Sequence, residues 1–202
     1  MRFFSLDYLI VIITTVILIV GAYQFYFWCQ RQNLRKRVSL KTKIDDWFPY
    51  NAHWIWIYSG LYYPIIVLAT LTVTDARHFL YAAFSYFMLL GVHMLFFVFF
   101  PVESKDTWRK QVKNKNLSDK FMQLVMKYDK DTNCFPSMHV SVAMLTALHI
   151  FMNKPEWGFW IFLFPLTITL STLYTKRHYF LDTLPGALLG WLVFLMFKSL
   201  YI

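Results

Sequence analysis

At 202 residues the chain is 58% hydrophobic and 21% aromatic, with only 15% charged residues and a formal net charge of +9. So apolar a composition excludes a soluble domain of ordinary make-up, and the apolar runs leave too little intervening chain for a separate soluble domain. The positive charge is split among short loops beside those runs, which argues against a nucleic-acid partner and for the membrane bilayer.

A span takes about 20 mostly apolar residues to cross roughly 30 Å of hydrocarbon at about 1.5 Å per residue. Six runs fit: Tyr8–Cys29, Ala52–Val73, Phe79–Pro101, Pro136–Met152, Trp157–Tyr174 and Leu184–Tyr201. They predict an all-α integral membrane bundle of six transmembrane helices, a single domain over residues 1–202. The first run follows a single Arg2, exceeds the usual signal-peptide core of about 7–15 residues and lacks a small-residue cleavage site, so it is expected to stay as a helix. Pro64 and Pro165 fall inside spans and are expected to kink them. Gly186 and Gly190 form a GxxxG in the last span, a pattern that admits a closely packed neighbour.

Between the third and fourth spans, Leu117, Phe121, Leu124, Val125 and Tyr128 recur at helical spacing with Asp119, Lys120 and Lys127 between them. This predicts an interfacial amphipathic helix, packed over the bundle or acting as a lid over a lipid site. If the spans alternate direction, residues 30–51, 102–135 and 175–183 share one face. That face collects 16 of the 20 basic side chains, leaving Arg2, Arg77, Lys154 and Lys198 elsewhere. Such an asymmetry points to the cytoplasm, unless some of these cations bind an anionic headgroup.

Two histidines stand at the same depth on this face although 39 positions separate them. His139 lies at the mouth of the fourth span, within FPSMH, and His178 lies in the short loop before the sixth, within KRHYFLD. Asp182 follows His178 at i+4, so in a helical turn its carboxylate can hold one ring nitrogen and leave the other to attack phosphorus. His139 then suits the general acid that protonates the departing oxygen. Ser137 and nearby amides are candidates for binding the phosphoryl oxygens, and Lys176 and Arg177 for neutralising them. Capping roles stay open for Ser137 and Asp182, with Pro185 in the first turn of the sixth helix. His93 and His149 read as buried, hydrogen-bonded residues. Cys29 and Cys134 are too few for a disulfide framework and lack metal-ligand spacing, so neither a metal nor a cofactor is expected.

These motifs resemble those of the type 2 phosphatidic acid phosphatase superfamily, PSGH followed by SRxxxxxHxxxD. Here they read Pro136-Ser137-Met138-His139, then Ser171-Thr172 with His178 and Asp182, over roughly the C-terminal half of the chain. The resemblance implies a six-helix membrane enzyme, a phosphohistidine on His178 assisted by Asp182, leaving-group protonation by His139, no metal, and a phosphorylated lipid substrate. It also implies a site on the extracytoplasmic side, against the charge count. Met138 replaces the glycine of PSGH, Thr172 replaces the phosphate-binding arginine with Lys176 the candidate to substitute for it, and FPSxH with HYxxD is similar to the synthase-like branch, which transfers a headgroup to an alcohol. The KxxxxxxRP motif is absent as such, Lys105 and Arg109 being the nearest candidates for its phosphate-binding role. The expected activity is therefore lipid-phosphate hydrolysis, with headgroup phosphotransfer or a non-catalytic lipid-binding protein as alternatives.

Overall fold

The computed structural model describes residues 5–32, 34–104, 106–109, 111–113, 115–130 and 132–201, without the side chains of Ser5, Tyr8, Asp106 and Arg109. The first helix, α1 (Ser5–Arg31), is apolar on every side. Val11 and Leu18 pack against Val73, Phe79 and Ala83, while Leu9, Ile12, Ile13, Val16 and Ile17 are exposed. An exposed apolar flank of this length belongs in hydrocarbon.

The second membrane-length segment, Ala52–Leu71, changes helical type along its course. A 3₁₀ turn at Ala52–Trp54 is capped by Asn51, whose side chain accepts from the His53 N–H at 3.0 Å. A π-helical stretch follows at Trp56–Leu61, then α2 (Tyr62–Leu71). Pro64 has no N–H for the carbonyl four residues earlier, and the helix widens just ahead of it. The fifth segment behaves alike. A 3₁₀ stretch, Pro155–Phe162, turns at Gly158 (φ +60) and gives way to α7 (Leu163–Tyr174) two residues before Pro165. Both expected prolines thus mark an interruption, and in both it falls on their N-terminal side.

Between them run α3 (Ala76–Phe99), capped by Asp75, then the short α4 (Asp106–Arg109), α5 (Leu117–Tyr128) and α6 (Met138–Asn153). The last helix, α8 (Phe180–Tyr201), starts four residues before the run that predicted it. Pro185 therefore lies inside the helix, beyond the first turn where it was expected.

Among the described residues, five segments are long and apolar enough to cross a membrane: Leu9–Arg31, Ala52–Leu71, Ala76–Phe99, Pro155–Tyr174 and Phe180–Tyr201. The sixth expected span appears as α6, whose 16 residues reach only about 24 Å at 1.5 Å per residue. The helix at the sixth expected span is thus shorter than the other five. The physical reason is position: α6 packs against α2, α3, α7 and α8, with Val140, Ala143, Leu145, Ala147 and Ile150 buried. A helix surrounded by other helices need not match the thickness of the hydrocarbon.

The GxxxG of α8 faces α6. A Cβ on Gly186 would lie 2.6 Å from the Ser137 carbonyl oxygen, and one on Gly190 would collide with that of Ser141. Only glycine lets these backbones touch. Their contact fixes the two helix starts on which the candidate catalytic residues sit.

Among the described residues the only extended pairing is an isolated bridge between Val38 and Val102. It joins two of the three segments that enclose the loop between α7 and α8, and the third is tied in where the Cys134 N–H donates to the Val102 carbonyl at 3.0 Å.

Candidate active site

The α7–α8 loop owes its shape to Lys176, which adopts φ +58, a region few non-glycine residues enter. The reversal returns the N–H groups of Arg177 and His178 to the Thr172 carbonyl, at 3.0 and 3.4 Å. Thr172 is thus the anchor of the loop. Its hydroxyl donates to the Thr169 carbonyl at 2.7 Å, so this threonine, where the resembled motif has arginine, does structural work here.

His178 is buried, and its Nδ1 lies 2.9 Å from the Cys134 carbonyl oxygen and 3.5 Å from Asp182 Oδ2. The carboxylate was expected to take the hydrogen bond, but the backbone carbonyl is the closer acceptor. The reason lies in the first turn of α8, where Asp182 Oδ2 accepts from the Tyr179 N–H at 2.8 Å. Asp182 therefore caps the turn and sets a negative charge beside the imidazole. A carbonyl oxygen can only accept, so the facing Nδ1 carries a proton, and in the neutral ring the lone pair lies on Nε2.

His139 sits one residue into α6. Its ring stacks on Tyr58 with centroids 4.2 Å apart, packs on Tyr62 at 4.9 Å and meets His178 edge-on at 5.8 Å. The Tyr58 hydroxyl lies 3.3 Å from His139 Nδ1. Ser137 directs this helix start: its side chain accepts from the Val140 N–H, and its own N–H donates to the Asp182 carbonyl at 2.9 Å. Its observed contacts are those of a helix cap and of a tie between the two motifs.

The two adjacent cations of the loop diverge. Arg177 is buried and pairs with Asp129 Oδ2 at 2.6 Å, and it lies within electrostatic reach of His139. Asp129, just past α5, also accepts from Gln30 at 2.5 Å and Tyr26 at 3.0 Å, both on α1. Lys176 donates instead to the Asp45 carbonyl at 2.5 Å and stands 4.8 Å over the Trp108 ring. Burial lowers its pKa below the usual lysine value. Asp45 in turn accepts from the Phe180 N–H at 2.7 Å, fastening the start of α8. Lys105 lies outside the described residues, as does the side chain of Arg109, which ends α4.

On α5 the sequence stripe divides. Phe121 and Val125 pack with Met122 near Ile55 and Tyr58, whereas Leu117, Leu124 and Tyr128 are exposed. A hydrogen bond at 3.1 Å from Trp56 to the buried Ser118 fixes this rotation of the helix.

Three residues beside the site were not assigned to it from sequence. Tyr58 enters through the π-helical stretch, which α-helical periodicity does not describe. Asp129 is one carboxylate in a charged loop, identified only by the guanidinium it meets. His93, expected to be buried and hydrogen-bonded, lies 2.6 Å from Ser141 Oγ and is within electrostatic reach of His178. One heteroatom from each of Cys134, His178 and Asp182 lies within 4.8 Å of the others, a possible metal-ligand set that sequence spacing did not reveal. His178 engages the Cys134 residue through its carbonyl, as described above.

A family model described as the PAP2 superfamily matches residues 38–196. No curated protein and no solved structure matches the chain.

Proposed function

The chain belongs to the PAP2 superfamily, and from that premise we propose that it is a membrane lipid-phosphate phosphatase acting on a phosphomonoester or diphosphate lipid through a phosphohistidine. The observation that supports this reading best is the meeting of two imidazoles from separate motifs, 5.8 Å apart. Beside them stand the buried Asp182 and Arg177.

In this reading His178 Nε2 attacks phosphorus and forms the P–N bond as the P–O bond to the lipid breaks. His139 passes its proton to the departing oxygen. A water then attacks the phosphohistidine with His139 as base, releasing phosphate and restoring both rings. The Cys134 carbonyl and Asp182 stabilise the His178 imidazole as it gains positive character. Arg177 takes the phosphate-binding role that Thr172 cannot fill, its guanidinium matching two phosphoryl oxygens. Ser137 supports the start of α6 beside the bound phosphoryl group.

The test is phosphate release from a panel of lipid phosphates by purified protein in detergent, with a metal chelator present. Release that is lost in His178→Ala supports the reading, and full activity in that variant overturns the nucleophile assignment. Headgroup transfer to an added alcohol lipid identifies a phosphotransferase instead. Activity abolished by the chelator moves the chemistry to a metal held by Cys134, His178 and Asp182. No turnover of any substrate leaves a non-catalytic lipid-binding protein.

A further inference from the structure

We infer that Asp129 is a positioning residue for Arg177, and that α1 reaches the active site through it, with Tyr26 and Gln30 holding the carboxylate. This deepens the phosphatase reading and, as regards catalysis, rests on it. Arg177 Nη2 meets Asp129 Oδ2 at 2.6 Å, with the two side chains only 1% and 16% exposed. The same Oδ2 accepts from the Tyr26 hydroxyl at 3.0 Å, and Oδ1 accepts from Gln30 Nε2 at 2.5 Å. Tyr26 and Gln30 stand at i and i+4, so one face of α1 presents both donors. Gln30 is oriented in turn, since its Oε1 faces the Lys130 N–H at 3.5 Å, and the Asn133 side chain donates to the Tyr26 carbonyl at 3.0 Å. The C-terminal turns of α1 are thus bonded to residues 129–133. Both α1 residues precede the segment matched to the family, 38–196.

The arrangement does more than join two segments. Replacing a buried ion pair by apolar side chains is often neutral or stabilising, so stability alone does not require one here. What the pair supplies is direction. A guanidinium stabilises a transition state best when it is in place before charge develops, because reorienting it during the reaction costs free energy. The backbone of Arg177 is already fixed, its N–H and that of His178 both returning to the Thr172 carbonyl. Asp129 fixes the far end of the side chain. Held at both ends, Arg177 keeps its guanidinium at a set place relative to the imidazole of the next residue, where the phosphoryl group is to be received. Tyr26 and Gln30 give the carboxylate donors of its own, so it stays in place when phosphoryl oxygens compete for the guanidinium.

Asp129→Asn keeps the shape and removes the charge. In ¹⁵N-arginine-labelled protein in detergent, the Arg177 guanidinium signals are assigned by their disappearance in Arg177→Lys. The wild type is expected to show separate Nη signals, the mark of a guanidinium whose rotation is blocked, and Asp129→Asn a single averaged one. Averaging in the wild type, or separate signals that persist in Asp129→Asn, overturns the proposal whether or not the protein turns over a lipid. In the phosphate-release assay Asp129→Asn is expected to lower kcat about tenfold, as the loss of a hydrogen bond to a charged group implies, with KM no higher. A raised KM at wild-type kcat marks a binding contact and overturns the positioning role. In an Arg177→Lys background the same substitution should lower kcat no further, because a residue that acts through another loses its effect when that other is gone. Effects that multiply overturn the proposal. Gln30→Ala leaves the ion pair and removes one of its supports, so kcat should fall about threefold; it carries the test if Asp129→Asn does not fold, and wild-type kcat there overturns the part given to α1. Absence of wild-type turnover sinks the phosphatase reading and leaves the guanidinium signals to decide whether Asp129 holds Arg177.

Discussion

The molecule holds two pairs of histidines at opposite ends of its bundle, and their surroundings differ in kind. His139 and His178 meet beside Asp182, Arg177 and Asp129. His78 and His149 both pack on Phe197, at 6.2 and 4.4 Å between ring centroids. The side-chain hydrogen-bond partners of this second pair are hydroxyls, Thr74 for His78 at 3.2 Å and Ser85 for His149 at 3.0 Å, with the Thr74 N–H also 3.5 Å from His78 Nδ1 and Asp75 within electrostatic reach of that ring. Aromatic rings and neutral hydroxyls make an imidazole a packing element. A committed nitrogen, an adjacent carboxylate and a buried guanidinium prepare one for phosphorus. The residue type is the same, and the neighbours decide its use.

That contrast is broken most severely at the nucleophile. His178→Ala is expected to lower kcat by roughly 10³-fold or more, because a covalent route that loses its nucleophile keeps only binding and electrostatics. His149→Ala should leave kcat at the wild-type level and lower the melting temperature in detergent, since it empties a packed site. Equal losses of kcat in the two variants would erase the distinction between the pairs.

The next largest effect tests the charge. Arg177→Lys keeps a cation but loses the planar fork, and kcat is expected to fall roughly 10²-fold, as when one preorganised donor to the transition state is removed. Initial rates at saturating lipid phosphate measure it. Wild-type kcat would make the Arg177–Asp129 pair a structural link between α1 and the loop.

Much of this arrangement was legible in the sequence. Apolar runs located the helices because bilayer thickness imposes a length, and α6 escaped that rule by being surrounded. Histidine positions relative to the span ends predicted that residues 39 apart would share a depth. What stayed hidden depends on backbone detail. No periodicity announces that the Cys134 carbonyl, rather than Asp182, is the nearest acceptor to His178. Nothing in the composition separates Lys176 from Arg177, although one ammonium goes to Asp45 and the neighbouring guanidinium to Asp129. The stripe on α5 divides, Phe121 and Val125 packing inward and Leu117, Leu124 and Tyr128 staying exposed, because Ser118 and Asp119 are also buried on its inner face.

A smaller effect reaches the site through packing alone. Gly186→Ala places a methyl group where the Ser137 carbonyl now lies, and overpacking of this kind costs about 1–3 kcal/mol. It should also lower kcat, since Ser137 and Asp182 are tied across the same contact. Gly91→Ala, where an added Cβ meets nothing within 4 Å, should stabilise α3 by about 0.5–1 kcal/mol without changing kcat. Thermal unfolding in detergent, read beside the assay, checks both. A harmless Gly186→Ala would mean that α6 and α8 can separate without disturbing the histidines.

The smallest effect is expected at Lys176, and it sharpens the contrast between neighbouring cations. Lys176→Met retains an apolar stem over Trp108 and deletes the ammonium that meets the Asp45 carbonyl. Losing one such hydrogen bond costs about 1 kcal/mol, and burial already disfavours the charge, so the change in melting temperature should be small. Because Asp45 still holds the Phe180 N–H, the start of α8 keeps its place and kcat should stay near the wild-type value. A fall matching that of Arg177→Lys would transfer the phosphate-binding role to Lys176, whose ammonium would then have to leave Asp45 when substrate arrives.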